Sequence, residues 1–281
     1  MTILLTGGRG KTSSRLAMLL AQANIPFIHA SHSPSPISGS PKQCYFDWLD
    51  QNTWEIPFLR DSDIHAVYLV GPPLIDIVVP MKSFIEFSKT NGVRRFVLLS
   101  ASAVPMGGPA MGQVHEFLST LGVEYTVLRP TWFMENFSDQ HSRGDLRTGD
   151  TIYSATGDGK IPFVAVADIA AVAFHALTDR ASDSTDLLVL GPELLSYGEV
   201  SQILSNVLQR NIRHKRVSES ELAAKFLKQG IPDQYAKLLA SLDTAIAHGM
   251  ENRLNNVVLN VTGVQPKSFI DFVEENKAAW C

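Results

Sequence analysis

Short apolar runs alternate along the first two thirds of the chain with stretches whose apolar residues return at helical spacing. Ile3-Leu4-Leu5 is the first run, and from Gly10 onward Leu16, Leu19, Leu20 and Ala23 share one helical face. The pattern predicts strand, turn, helix. Further strands are expected at Pro26 to Ala30, Ala66 to Val70, Phe96 to Leu99 and Tyr125 to Leu128, with helices around Val78 to Lys89 and Gly112 to Leu121. This alternation implies an α/β fold, a doubly wound parallel sheet with helices on both faces. Ser31 to Pro41, rich in Ser and Pro, predicts a surface loop of unusual length after the second strand.

Past Asp150 the pattern is mixed. Phe163 to Val166 lead into a helix that Ala167 or Asp168 begins, and Leu187 to Leu190 read as another buried strand, so the sheet is expected to continue through this stretch. From Ser196 on the periods are mostly helical, including Leu222 to Leu227 and Tyr235 to Ala247, with Pro232 and Gly249 as stops. The expected division is a larger domain over 1–191, with some segments after 130 reaching a substrate pocket, and a smaller, mainly helical lobe over 192–281 that covers substrate.

Composition narrows the function. With 281 residues, 45% hydrophobic and 19% charged, the chain has an ordinary globular balance. A net charge of -4 supplies no broad attraction for phosphate backbones or anionic lipid, so neither nucleic acid nor membrane is an expected partner, and small-molecule chemistry is. The basic cluster Arg210, Arg213, His214, Lys215 and Arg216 lacks interleaved aromatics and reads as a solvated edge beside a helix end. Two cysteines, Cys44 and Cys281, make no disulfide framework. There is no His-Glu-x-x-His, and His29-x-x-His32 lacks a third ligand, so no metal site is expected. The N-terminal apolar run is too short for a secretion signal and no run reaches membrane-spanning length, which predicts a cytoplasmic protein. Oligomeric state leaves no trace in the sequence.

Thr6-Gly7-Gly8-Arg9-Gly10-Lys11-Thr12-Ser13 lies between the first strand and the first helix. Gly8-x-Gly10-x-x-Ser13 and Gly7-x-x-Gly10-x-x-Ser13 each nearly match a dinucleotide-binding fingerprint, with Ser13 where the last glycine would stand. Gly7, Gly8 and Gly10 let backbone approach a pyrophosphate at the helix N-terminus, and the architecture becomes Rossmann-like. A triphosphate-binding loop does not fit, because Leu5 occupies the position of its first glycine. A site for NAD usually places a carboxylate on the ribose about 20 residues after the glycines. Here the first acidic residue is Asp47, whereas Arg9 and Lys11 crowd the turn and the second strand ends in Ser31 and His32. These cations and hydroxyls suit a 2′-phosphate, so NADP(H) is the expected cofactor. Arg15 reads as a solvated helix residue.

The segments GGRGKTSSRL from Gly7, YLVGPP at 68–73, FVLLSASAVP at 96–105, MGQVHEFL at 111–118 and VLRPTWFMENF at 127–137 resemble the NmrA-like, atypical short-chain dehydrogenase family. Within it they are most similar to the festuclavine synthase and agroclavine dehydrogenase group of fungal ergot alkaloid pathways. YSATGDGKIPFV and GPELLSY carry the resemblance through the remainder of the chain. It implies a Rossmann lobe whose strand ends hold the nicotinamide, a C-terminal lobe over the substrate, and an indole alkaloid as that substrate.

Carbonyl-reducing short-chain dehydrogenases use a Tyr-x-x-x-Lys pair as proton donor and pKa-lowering partner. The residues four beyond the six tyrosines are Leu49, Pro72, Arg129, Gly157, Ser201 and Leu239, so the pair is absent. A hydride acceptor that needs no proton is a preformed iminium, whose nitrogen already carries the charge. The resemblance points the same way, since festuclavine-type enzymes are associated with reducing such an iminium with NADPH. Two other functions use the same fold: a redox-assisted cyclase acting on a prenylated indole, and a noncatalytic, redox-sensing partner of a transcription regulator.

Strand ends supply the remaining candidates. Gly71-Pro72-Pro73 and Ser100-Ala101-Ser102 are expected to flank the adenosine and nicotinamide riboses, with Ser102 the stronger polar group, unless its hydroxyl only satisfies its own loop. Trp132 and Met134 could wall an indole pocket and Phe133 face the nicotinamide, although aromatics after a strand are commonly core. Asp76 could stabilise a substrate cation, or act as a helix cap. His115 and Glu116 occupy the helix where the missing pair would lie, His115 as the acid/base candidate and Glu116 on the substrate side, with a solvated role as the alternative.

Overall fold

The computed structural model describes all residues except 34–41, 73, 139–145, 148, 180–184 and 281. The chain forms two compact units, Met1–Pro130 with Val166–Val189, and Thr131–Ala165 with Leu190–Cys281. The first is a seven-stranded parallel sheet of β1 (Thr2–Leu5), β2 (Phe27–Ser31), β3 (Gln43–Tyr45), β4 (Ile64–Leu69), β5 (Arg95–Leu99), β6 (Glu124–Pro130) and, after β7 (Thr151–Ser154) of the second unit, β8 (Thr185–Val189). Its order, β3-β2-β1-β4-β5-β6-β8, reverses direction between β1 and β4. This is the Rossmann-like, doubly wound topology, whose crevice opens at that reversal, outside the carboxyl ends of the strands.

Alternation along the strands separates two buried layers. Leu4, Val67, Leu69, Phe96, Leu98 and Val127 pack against α3 (Val78–Thr90) and α4 (Met111–Thr120), which follow α1 (Lys11–Gln22) and α2 (Ile56–Arg60) along the chain. In α3, Met81, Phe84, Ile85 and Ser88 are buried at the i, i+3, i+4, i+7 spacing that keeps one face inward, and Pro80 lies in the first turn, where no hydrogen-bonded N–H is lost. α1 packs against α5 (Val166–Thr178). Leu4 is fully buried, and truncating it to alanine would cost about 2–5 kcal/mol.

The second unit pairs β7 with β9 (Arg213–Arg216) and carries α6 (Tyr197–Leu208), α7 (Glu219–Lys228), α8 (Asp233–Ala247), α9 (Val257–Thr262) and α10 (Phe269–Glu275). α6 and α7 each start with a capping box, Ser196 with Glu199 and Ser218 with Glu221, which satisfies amides a helix start would otherwise leave open. Phe137, Phe163, Tyr197 and Phe269 form its aromatic core, and the Trp280 indole donates to the Phe137 carbonyl at 2.8 Å.

Three elements differ from the sequence expectation. The basic cluster contains a strand, β9, whose side chains stay largely outward. β3 is a three-residue strand that periodicity cannot detect. Phe163 and Val164 do not extend the main sheet: both are buried in the second unit, and Val164 makes a single bridge to Phe133. Apolar content alone does not distinguish a core loop from a buried strand.

Candidate functional site

The site begins with the turn between β1 and α1. Gly7 has φ +63°, a conformation in which a side chain is strained, and a Cβ there would lie 3.0 Å from Val70. A Cβ on Gly8 would lie 3.3 Å from the Ala30 carbonyl, and one on Gly10 3.0 Å from the Gly7 carbonyl. The turn is closed by Gly10 N–H donating to Gly7 O at 2.7 Å and Gly8 N–H to Ala30 O at 3.1 Å. Gly10 is the N-cap of α1, yet no side chain caps that end and no acidic residue stands in its first turn. The helix therefore presents uncapped amides and the positive end of its dipole, which favours an anion.

The third-glycine position is explained by contact. Ser13 is fully buried and its hydroxyl donates to the Thr6 carbonyl at 2.9 Å. Thr6 in turn bridges β1 and β4, donating through Oγ1 to Tyr68 O and accepting from Val70 N, both at 2.8 Å. Thr12 is buried beside Ser13. Tyr68 is fully buried, and burial pushes its phenol far above its ordinary range, so it supplies no proton near neutrality.

A cleft of about 390 Å³ opens over this turn, at the carboxyl ends of β1, β2, β3 and β4. Gly7, Arg9 and Gly10 line it from the turn, Ser31 and His32 from the end of β2, and Gly71 and Pro72 from the end of β4. Lys11 and Thr12 are not among its lining residues, and Pro73 lies outside the described residues. Sequence reasoning missed the wall after β3, where Phe46, Asp47, Trp48 and Leu49 line the cleft. Asp47 is held tightly: its amide donates to Thr53 Oγ1 at 2.9 Å, its carbonyl accepts from the Trp54 indole at 3.1 Å, and its Oδ1 accepts from Leu49 N–H at 2.9 Å. The edge rule applied to β3 would have found it, but three residues after a loop carry no period to read.

The exit of β5 is equally well defined. Ser100 N–H donates to Leu128 O and Ser102 N–H to Pro130 O, both at 2.8 Å, so pairing with β6 continues past the strand end. Ser102 is buried, and the buried Ser100 Oγ has no hydrogen-bond partner. An orphaned buried hydroxyl at a strand end keeps its hydrogen-bonding capacity open, to a ligand or to a water. On α4, His115 is buried with its ring edge toward Tyr125, centroids 6.0 Å apart, and Glu116 is exposed. Burial, aided by Arg129 and opposed by Asp186, lowers the His115 pKa, so its imidazole is neutral at pH 7. Asp76 is exposed in a 3-10 turn, and no side chain caps α3.

Trp132, Phe133 and Met134 belong to the second unit. Met134 is fully buried in its core, Trp132 packs partly buried against that core, and Phe133 is half-buried at its bridge to Val164. Among the described residues no group of His, Cys, Asp or Glu could hold a metal ion, and no helix is long and apolar enough to cross a membrane.

The profile of the NmrA-like family matches residues 112–257. Over its whole length the chain is 50% identical to an agroclavine dehydrogenase of Claviceps fusiformis, covering 99% of that protein, and 49% identical to festuclavine synthase II of Penicillium roqueforti, covering all of it. Its fold is similar to that of an NADPH-dependent quinone oxidoreductase from Escherichia coli solved with NADPH. There the TM-score is 0.80 at 19% identity, over 97% of this chain and 99% of that one.

Proposed function

The chain belongs to the NmrA-like family and is an oxidoreductase by its full-length relatives, and we propose that it reduces a cyclic iminium with NADPH in indole alkaloid synthesis. One observation carries the reading. The helix that holds the acid of carbonyl reducers holds instead a buried, neutral His115, and no tyrosine is followed four residues later by lysine. A dinucleotide cleft without a Tyr-x-x-x-Lys pair suits an electrophile that is already cationic.

The residues of the cleft fit a dinucleotide phosphate. Gly7, Gly8 and Gly10 let the turn pack closely against β2 and β4, and the uncapped start of α1 takes the pyrophosphate, with Lys11 and Thr12 adjoining. Arg9, Ser31 and His32 take the 2′-phosphate, while Asp47 offers a carboxylate oxygen to donors on the nucleoside. Gly71 and Pro72 border the adenosine ribose, and Ser100 and Ser102 the nicotinamide ribose. NADPH, when bound, supplies the hydride. Asp76 contributes negative charge toward a cationic substrate, and exposed Glu116 adds to it. His115, neutral and buried against Tyr125, is not the proton donor in this reading. In the second unit, half-buried Trp132 offers an aromatic face to an indole, with Phe133 beside it and Met134 packed beneath.

The test is incubation with NADPH deuterated at C4 and a preformed cyclic iminium. Loss of NADPH absorbance, deuterium at the former iminium carbon and a solvent isotope effect near unity are expected. Binding of NADPH without turnover across a panel of iminium and amino aldehyde substrates would return the chain to a regulatory role, and a product with a new ring bond but no deuterium would make it a cyclase.

A further inference from the structure

Arg129 lies near the end of β6 with its side chain only 12% exposed, and its guanidinium spans three neighbouring elements of the sheet. Nη2 donates to the Ser102 carbonyl at 2.8 Å, Nε reaches the Ala101 carbonyl at 3.4 Å, and Nη1 pairs with Asp186 Oδ2 on β8 at 2.7 Å. The register explains the reach: Val127 pairs with Asp186, so Arg129, two residues on, shares that face of the sheet. Together with the two amide bonds to β6, the guanidinium serves the Ser102 carbonyl and, at longer range, the Ala101 carbonyl, which also accepts from Val104 N–H at 3.0 Å. A turn held at its amides and its carbonyls has little freedom left, and the Ser100 hydroxyl it carries is the one buried polar group there without a partner. A planar fork can serve acceptors in two directions at once, which a lysine cannot.

We infer that Arg129 is a positioning residue: braced by Asp186, it holds the Ser100–Ser102 turn so that the Ser100 hydroxyl is presented to the nicotinamide end of a bound dinucleotide. The functional half of this inference rests on the hydride-transfer reading; the structural half does not.

Arg129→Lys, Asp186→Asn and Ser100→Ala test it. In the free protein, amide hydrogen exchange in a peptide spanning 99–104 should quicken by about tenfold in Arg129→Lys, and less in Asp186→Asn, while β1 and β4 keep their protection. In the NADPH-dependent reduction, Arg129→Lys should lower kcat by about tenfold with the Kd for NADPH nearly unchanged, because the adenosine end is held elsewhere. A double-mutant cycle gives the readout a merely structural role would not move. If Arg129 acts through Ser100, Arg129→Lys costs little further kcat once Ser100 is alanine. Unchanged exchange overturns the structural half, and additive kcat losses overturn the functional half. If Arg129→Lys does not fold, Asp186→Asn carries both measurements, since it keeps the guanidinium and removes the negative charge that braces it. Should the wild type transfer no hydride to any substrate, the proposed activity fails, while the exchange result still decides whether Arg129 orders the turn.

Discussion

Ser13 donates its hydroxyl to the carbonyl of Thr6 at 2.9 Å, at the position where a dinucleotide-binding turn ordinarily has its third glycine. The substitution keeps the close approach of helix and strand and adds a bond across it. Ser13→Ala removes that bond from a fully buried site and should lower the unfolding free energy by about 1 kcal/mol, measured by urea denaturation, with NADPH affinity nearly intact. A loss of NADPH binding without a loss of stability would show that the hydroxyl serves the ligand instead.

Arg9 lines the cleft beside Ser31 and His32, and the end of β2 bears no carboxylate. Arg9→Ala should raise the KM for NADPH by about tenfold or more, the scale of one charge-assisted hydrogen bond, and leave that for NADH almost unchanged. Equal effects on the two cofactors would place Arg9 on the pyrophosphate, away from the 2′-phosphate.

The three histidines His29, His65 and His115 all have pKa values lowered from 6.5, with burial the leading cause. A group whose folded pKa is depressed binds its proton more readily when unfolded. Its contribution is therefore complete above pH 6.5 and lost as pH falls toward the folded value. Unfolding free energy should drop between pH 7 and pH 5, and His115→Gln should flatten that slope without abolishing it, by at most about 1.4 kcal/mol per pH unit. An identical slope in the variant would mean that His115 takes no part.

Cys44 is buried on β3 and its thiol pKa is pushed up to about 11 by that burial. The thiolate is the reactive form, so alkylation at Cys44 in the native protein at pH 8 should be slower by at least about a hundredfold than after unfolding, scored by peptide mapping. Fast native labelling would show that β3 opens readily, and with it the wall that carries Asp47.

Much of this fold is legible in the sequence. β1, α1, α3, β4, β5 and β6 lie within a residue or two of where apolar period placed them, because each buries one face or one stripe. The glycine turn was equally readable, since Gly7 has a left-handed φ and a Cβ at Gly7 or Gly10 would make a tight contact at 3.0 Å. β3 was not, being too short to show a period, and the cleft wall of Asp47 and Trp48 was lost with it. The basic segment 213–216 gave no strand signal because a two-stranded ribbon with outward charges buries too little to alternate.

Taken alone, the order of residues settled the parallel α/β class, the glycine turn between β1 and α1 and the family, since each is written in local spacing or in contiguous motifs. The strand at 185–189 was expected from its apolar run, but tertiary structure alone decided that 131–165 leaves the sheet, and that Arg129 holds both Ser102, 27 residues away, and Asp186, 57 residues away. Such partners meet because parallel strands bring distant segments side by side, and no window along the chain contains both.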